Sequence, residues 1–171
     1  MHKQLMKDSA MCRSGLPDYF VTFRNAGENE TPIAHPDGLN NYAGADDPGG
    51  SGLSRNHNIW RRYASPVWMD IRQTRTLNGR AGRDEKDEKH ICPLQLDVIE
   101  RACVLWSNPG EVVLTPFMGV GSECYGAVIN GRRAIGIELK PSYYRQAVKN
   151  MADARPEDEE GQLFGDMEEA T

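Results

Sequence analysis

No stretch of this sequence approaches the ~18 consecutive apolar residues of a membrane-spanning helix, so a helical membrane protein is excluded and a soluble chain is expected. Cysteine is scarce and poorly spaced. Cys12, Cys92, Cys103 and Cys124 match no zinc pattern and follow no secretory signal, so neither a zinc-stapled domain nor a disulfide framework is expected. Reduced thiols in a cytoplasm are the expectation instead. Positive charge is lacking too, since a net charge of −5 argues against a simple basic nucleic-acid binder until it is located along the chain. From Asp153 to Thr171 eight acidic residues face Arg155 alone, a net −7 that leaves residues 1–152 at +2. Such a run is expected to be a solvated, disordered tail. The mildly basic remainder permits phosphate contact without arguing for it.

What is present divides into a loose half and a compact half. The 171 residues give room for one domain, and 39% hydrophobic residues support a modest core, while 17 Gly and 10 Pro at a mean hydropathy of −0.63 imply much irregular chain. Met1 to Leu5 runs straight into polar sequence with no helix cap, which reads as the interior of a longer protein. Tyr19-Phe20-Val21-Thr22-Phe23 is β-branched and aromatic after the turn-like Gly15-Leu16-Pro17-Asp18, and a short strand is expected there. Asn25 to Arg55, centred on Asp46-Asp47-Pro48-Gly49-Gly50-Ser51-Gly52, reads as a long loop or linker. Between Ile59 and Arg72, Trp60, Tyr63 and Trp68 alternate with Arg61, Arg62 and Arg72, and the charged run Arg80 to Lys89 follows. That pattern suits a grip on a nucleic-acid backbone with base stacking. More often it describes aromatics anchoring a loop, with solvated arginines around them.

The second half alternates. Pro93 can open a helix carrying Leu94, Val98, Ala102, Leu105 and Trp106 at helical spacing, and Asn108-Pro109-Gly110 stops it. Glu111 to Phe117 reads as a buried strand, Gly119-Val120-Gly121 as a tight turn, and Ser122 to Asn130 as a helix ended by Gly131. Arg133 to Leu139 is a second strand, and Tyr143 to Met151 a further helix opened by Pro141 or Ser142. Helix, strand, helix, strand, helix implies parallel strands with right-handed crossovers, hence an α/β, Rossmann-like sheet.

The chemistry lies in a Gly-x-Gly turn between strand and helix, with Glu138 at the end of the next strand, 19 residues beyond Gly119. Glycines let backbone approach a ligand closely, and a carboxylate about 20 residues on can take both hydroxyls of a ribose, so an adenosine-bearing cofactor is indicated. A nicotinamide dinucleotide site uses the same logic. There a third glycine permits close helix packing, and here that position is Cys124.

Thr115-Pro116-Phe117-Met118-Gly119-Val120-Gly121-Ser122 resembles the Asp-Pro-Phe-x-Gly-x-Gly-Thr motif of the DNA N6-adenine and N4-cytosine methyltransferases. Gly131 to Glu138, the helix with Tyr144 and Ala147, and Lys89-His90-Ile91-Cys92-Pro93-Leu94-Gln95 through Arg101 resemble further blocks of that family in the same order, over about residues 85–152, most closely its phage and prophage members. The resemblance implies an S-adenosyl-L-methionine-dependent enzyme of DNA methylation, of the kind found in restriction-modification, with duplex DNA as partner. Phe117, Gly119 and Gly121 would floor the cofactor, Glu138 would hold its ribose, and Pro93 and Gln95 would lie near its amino acid moiety. Thr115 stands where the family often has Asp, so a hydroxyl replaces the carboxylate there.

The family's Asp/Asn/Ser-Pro-Pro-Tyr/Phe/Trp tetrapeptide, which accepts hydrogen bonds from the target amine and stacks on a flipped base, is missing. The nearest sequence, Ser65-Pro66-Val67-Trp68, lacks the second proline, and Ser65, Pro66 and Trp68 are weak catalytic candidates. By resemblance to the circularly arranged class, residues 1–24 are a strand-containing remnant of the catalytic region and 25–84 a loop-rich target-recognition region. Residues 85–152 are then the cofactor-binding half, and 153–171 the acidic tail. The chain is thus expected to begin midway through a longer enzyme, an incomplete Rossmann-like methyltransferase fold whose catalytic strands come from a second polypeptide or are lost. Cys92-Pro93 inverts the Pro-Cys nucleophile of cytosine-C5 enzymes and is explained by helix initiation. His90 and Cys92 lack a second ligand pair, and no metal is expected. The rival readings are a non-catalytic cofactor- or DNA-binding module and a nucleotide-dependent oxidoreductase fragment.

Overall fold

A computed structural model describes residues 17–77 and 93–155. The chain divides into two units, residues 1–32 and 33–171. In the first, residues 17–32 contain no helix or strand, and Tyr19 and Phe23 are exposed. The strand expected at Tyr19–Phe23 is therefore absent. Its residue types favour extended chain, but strand propensity alone does not make a strand.

The second unit is ordered earlier than composition suggested. Helix α1, Gly52–Tyr63, begins inside the stretch expected to be linker. The Asn58 amide donates to Pro48 O and Gly49 O, Arg55 pairs with Asp47 at 2.7 Å, and the buried Tyr63 hydroxyl accepts from Ala43 N at 2.7 Å. Side chains of the helix thus satisfy the backbone of the Gly-rich loop before it. Ile59 and Tyr63 are buried with Leu39 and pack on Val104 and Leu105 of helix α2, Leu96–Trp106. Burying a side chain such as Ile59 contributes roughly 1.5–3 kcal/mol, enough to offset the weak helix propensity of Asn56 and Asn58.

Strands β1, Val112–Thr115, and β2, Arg133–Gly136, pair in parallel with Leu114 opposite Ile135, and helix α3, Ser122–Ile129, makes the crossover. Helix α4, Pro141–Ala152, follows with Pro141 in its first turn. The alternation expected from the sequence is observed, with shorter strands. α3 packs on both strands, on α2 and on α4. The core joins Leu96, Ile99 and Cys103 of α2 to Ala127 of α3, with Val113 and Ala134 beneath. Gly126 permits the α2–α3 approach, because a Cβ there would lie 2.4 Å from Ile99 Cγ2.

Helix α2 starts three residues after Pro93, with Gln95 at the N-cap position but making no side-chain capping bond, and its buried face is not the apolar stripe expected. Leu94 and Trp106 are exposed, whereas Asp97, Glu100 and Arg101 are buried. These charges are tolerated because each is paired. Asp97 accepts from the Arg72 guanidinium and backbone N–H and from Arg75, and Glu100 pairs with Arg75. Arg101, fully buried, donates to Ala43 O and to both oxygens of Asp70, beneath the rings of Tyr42, Tyr63 and Trp68. The arginines expected to be solvated are thus in part structural: Arg72 is held by Asp97, and Arg62 by Asp46. At the other end of α2 the buried Arg132 guanidinium donates to Cys103 O, which also accepts from Ser107 N and Oγ, and to Ser107 O just past the helix.

Candidate cofactor-binding turn

β1 delivers its chain to the turn Pro116–Gly121, and β2 delivers Ile137 and Glu138 beside it. The strands continue to exchange hydrogen bonds past their ends, Ile137 N to Thr115 O and Met118 N to Ile137 O, both 2.9 Å. This brings the turn and the carboxylate together. Glu138 Oε2 accepts from Gly119 N and Oε1 from Lys140 N, each at 2.8 Å. With both oxygens held by main chain, the carboxylate is fixed in orientation yet retains lone pairs for further donors.

Two glycines in the turn do different work. Gly119 has φ +56° and Gly121 φ +93°, the left-handed region that costs an L side chain roughly 1–2 kcal/mol. A Cβ on Gly121 would lie 3.1 Å from Ala147 Cβ, so this glycine lets α4 close against the turn. A Cβ on Gly119 would meet nothing within 4 Å. That side of the turn is open. Phe117 beside it is 85% exposed, while Met118 and Val120 are buried and Asn150 of α4 braces the turn by donating to Val120 O at 2.8 Å.

The structure therefore assembles Thr115, Phe117, Gly119, Gly121 and Glu138 at the C-terminal ends of the two strands, where parallel α/β sheets bind ligands. Thr115 is buried. Pro93 and Gln95 lie at the start of α2, where the Gln95 amide donates to Gln73 Oε1 at 3.3 Å. The residues from Lys89 to Cys92, including His90, lie outside the described residues, as do Cys12, the run Arg80 to Lys89 and the tail beyond Arg155.

Ser65 and Trp68 are engaged locally. The Ser65 hydroxyl donates to Val67 O at 2.9 Å, and Trp68 Nε1 donates to Tyr63 O at 3.0 Å while its ring covers Arg101. They tie down the loop after α1. A cavity of about 390 Å³ lies elsewhere, lined by Tyr42, Arg55, Arg72, Arg75, Glu100 and Asn130, whose arginines are paired with Asp47, Asp97 and Glu100.

Two residues that shape the turn carried a weaker signal in the sequence. Gly136 lies within β2, and a Cβ there would be 2.3 Å from Met118 Sδ and 2.7 Å from Cys124 Sγ. The close helix–strand contact that a third glycine gives in dinucleotide sites is supplied here from the strand side. An isolated glycine in a strand pattern marks such an approach. Asn150 had no signal, because its role depends on where α4 folds back. Burial raises the Cys124 thiol above its ordinary range and likewise that of Cys103, so both are poor nucleophiles. Burial also raises the Glu123 carboxyl in the first turn of α3.

Residues 35–149 match the family model for DNA methylases. Among curated proteins, the chain is similar to the type II methyltransferase M1.MboII of Moraxella bovis, 32% identical over 103 residues that make up 56% of this chain and 38% of that one. It is also similar to the DNA adenine methyltransferase YhdJ of Escherichia coli K12, 31% identical over 37% of this chain and 22% of the relative. A methylase of the same strain, YubD, is 40% identical over 41% of this chain and 29% of its own length. Among solved structures, a DNA modification methylase from Thermus thermophilus complexed with S-adenosyl-L-methionine is 31% identical, with a TM-score of 0.43 over 57% of this chain and 33% of that chain. The chain spans less than two fifths of the length of each of these relatives.

Proposed function

This chain belongs to the DNA methylase family, and on that premise we propose that it supplies the S-adenosyl-L-methionine-binding half of an enzyme that methylates adenine N6 or cytosine N4 in duplex DNA. The observation that carries the reading is the fixed Glu138 carboxylate bonded to the Gly119 amide, beside a turn whose Gly119 side is open. A carboxylate with free lone pairs suits a ribose diol, and an open backbone turn beside an exposed Phe117 ring suits the rest of a nucleoside. The residues present fit the group.

In this reading Glu138 accepts from the ribose hydroxyls, while Phe117, Gly119 and Gly121 form the floor. Thr115 offers a hydroxyl where family members have a carboxylate. Gln95, whose amide makes an exposed bond to Gln73, is available to the amino acid moiety together with Pro93. S-adenosylmethionine supplies a methyl group on a sulfonium centre, and this half of the protein contributes by holding one reactant in place. In this reading the amine-activating tetrapeptide comes from a second polypeptide; Ser65 and Trp68, committed to their own loop, do not supply it. The chain alone has weak or no transfer activity. The same commitment favours, as a second reading, a cofactor- or DNA-binding module without catalysis. A cytoplasmic setting is part of the same reading, as the family suggests.

Titration calorimetry on the whole chain tests the cofactor. Saturable one-to-one binding of S-adenosylhomocysteine, with none of a nicotinamide dinucleotide at the same concentrations, is the expected result. The opposite preference contradicts the proposal and favours an oxidoreductase fragment.

A further inference from the structure

Among the described residues, the two-stranded sheet is covered on one face only. Val113, Ala134 and Gly136 face the helices, as the core around Ile99, Ala127, Met118 and Cys124 shows. Side chains alternate along a strand, so Val112, Leu114, Ile135 and Ile137 project from the other face. They are 46%, 62%, 55% and 50% exposed. The register sets Leu114 directly opposite Ile135, which makes these four a contiguous apolar surface rather than scattered residues. Phe117 and Leu139, just past the strand ends, are exposed as well.

Parallel sheets occur almost only with both faces covered. Every described helix that packs on this sheet lies on the same side of it. The chain also spans less than two fifths of the relatives it matches, so a complete relative has ample further chain to cover such a face. We infer that the face of Val112, Leu114, Ile135 and Ile137 is the docking surface for a separate polypeptide that lays an apolar helix across it. That polypeptide is the part of a complete family member that this chain does not match. The inference rests on the proposal that a partner supplies the catalytic half and adds the place where it binds. The physics is that of an α/β sheet cut through its core: burial of branched apolar side chains drives association, and a single charge in the patch opposes it.

The test mixes the whole chain with a polypeptide made of the part of M1.MboII that this chain does not match. Complex formation is read by light scattering and by hydrogen exchange. A one-to-one complex is expected, with protection gained at residues 112–115 and 133–137, and Leu114→Asp and Ile135→Asp each weaken it by at least about tenfold. Lys149→Glu, an exposed change on α4, binds as the parent does. Because the footprint is measured on the parent chain, the answer does not depend on how well the aspartate variants fold. Absence of a complex, protection elsewhere, or a homodimer of this chain that Leu114→Asp dissolves overturns the inference. S-adenosylhomocysteine calorimetry on the chain alone keeps the two readings apart: cofactor binding without a complex defeats only the docking surface, and a complex without cofactor binding defeats only the methyl-donor site.

Discussion

Glu138 Oε2 accepts the Gly119 amide at 2.8 Å, linking the end of one strand to the turn that follows the other across nineteen residues of chain. The bond ties the acid to the glycine turn before any ligand arrives. Replacing Glu138 by Ala removes a carboxylate acceptor, and hydrogen bonds to such a group are each worth about 1.5–3 kcal/mol. Affinity for S-adenosylhomocysteine should fall by about 10- to 100-fold, with circular dichroism unchanged. A variant that binds as tightly as the parent refutes the ribose role.

The two turn glycines should separate folding from binding. Gly121→Ala combines positive φ with a Cβ 3.1 Å from Ala147, so it should lower the melting temperature by pushing α4 off the turn. Gly119→Ala has the same kind of backbone strain but no neighbour within 4 Å, so its larger effect should be on ligand affinity. Equal thermal destabilisation by both, with equal loss of binding, goes against the open-turn description.

Breaking a buried ion pair by removing one partner costs about 3–5 kcal/mol. Arg101→Met leaves Asp70 and Ala43 O without their buried donor, and Asp97→Asn strips charge from the bonds of Arg72 and Arg75. Urea unfolding should show a loss in that range for Arg101→Met and a smaller one for Asp97→Asn. A change below about 1 kcal/mol for Arg101→Met means that the cage contributes little.

Acid should act on the same pairs. Burial by itself raises the Asp70 and Asp97 carboxyls, but bonds from Arg101 and Tyr42 to the first, and from Arg72 and Arg75 to the second, outweigh it and hold both below the ordinary range. The unfolded chain therefore binds protons first. Stability from these groups is intact above the unfolded value of about 3.9 and is lost as pH falls through the folded values, by up to about 1.4 kcal/mol per group per pH unit. The stability gap between parent and Asp97→Asn should be widest above about pH 5 and narrow steadily in acid. A gap that stays constant down to about pH 2.5 shows that the Asp97 pairing is not what titrates.

The sheet and its turn were readable because their signals are local. Pro141, the Gly-x-Gly pair and the apolar runs at 112–114 and 134–137 each dictate a conformation within a few residues. Helix α1 was not readable, since Gly52, Asn56 and Asn58 disfavour helix and only burial of Ile59 and Tyr63 against α2 compensates. The buried face of α2 misled for a related reason: Asp97 and Arg101 look like surface residues until residues 70–75 are placed beside them. Conversely, Tyr19 to Phe23 has strand composition, yet the described residues 17–32 contain no strand. Glu138 could be placed from its spacing, but its fixed orientation depends on the Lys140 amide as well as the turn.

The most direct measurement is an amide NMR titration of the glycine-labelled chain with S-adenosylhomocysteine. The Gly119 and Gly121 resonances should shift saturably and together, ahead of Gly110 and Gly131 at the far ends of the same elements. Saturation that leaves Gly119 and Gly121 unmoved contradicts the cofactor site, wherever else on the chain the ligand is found.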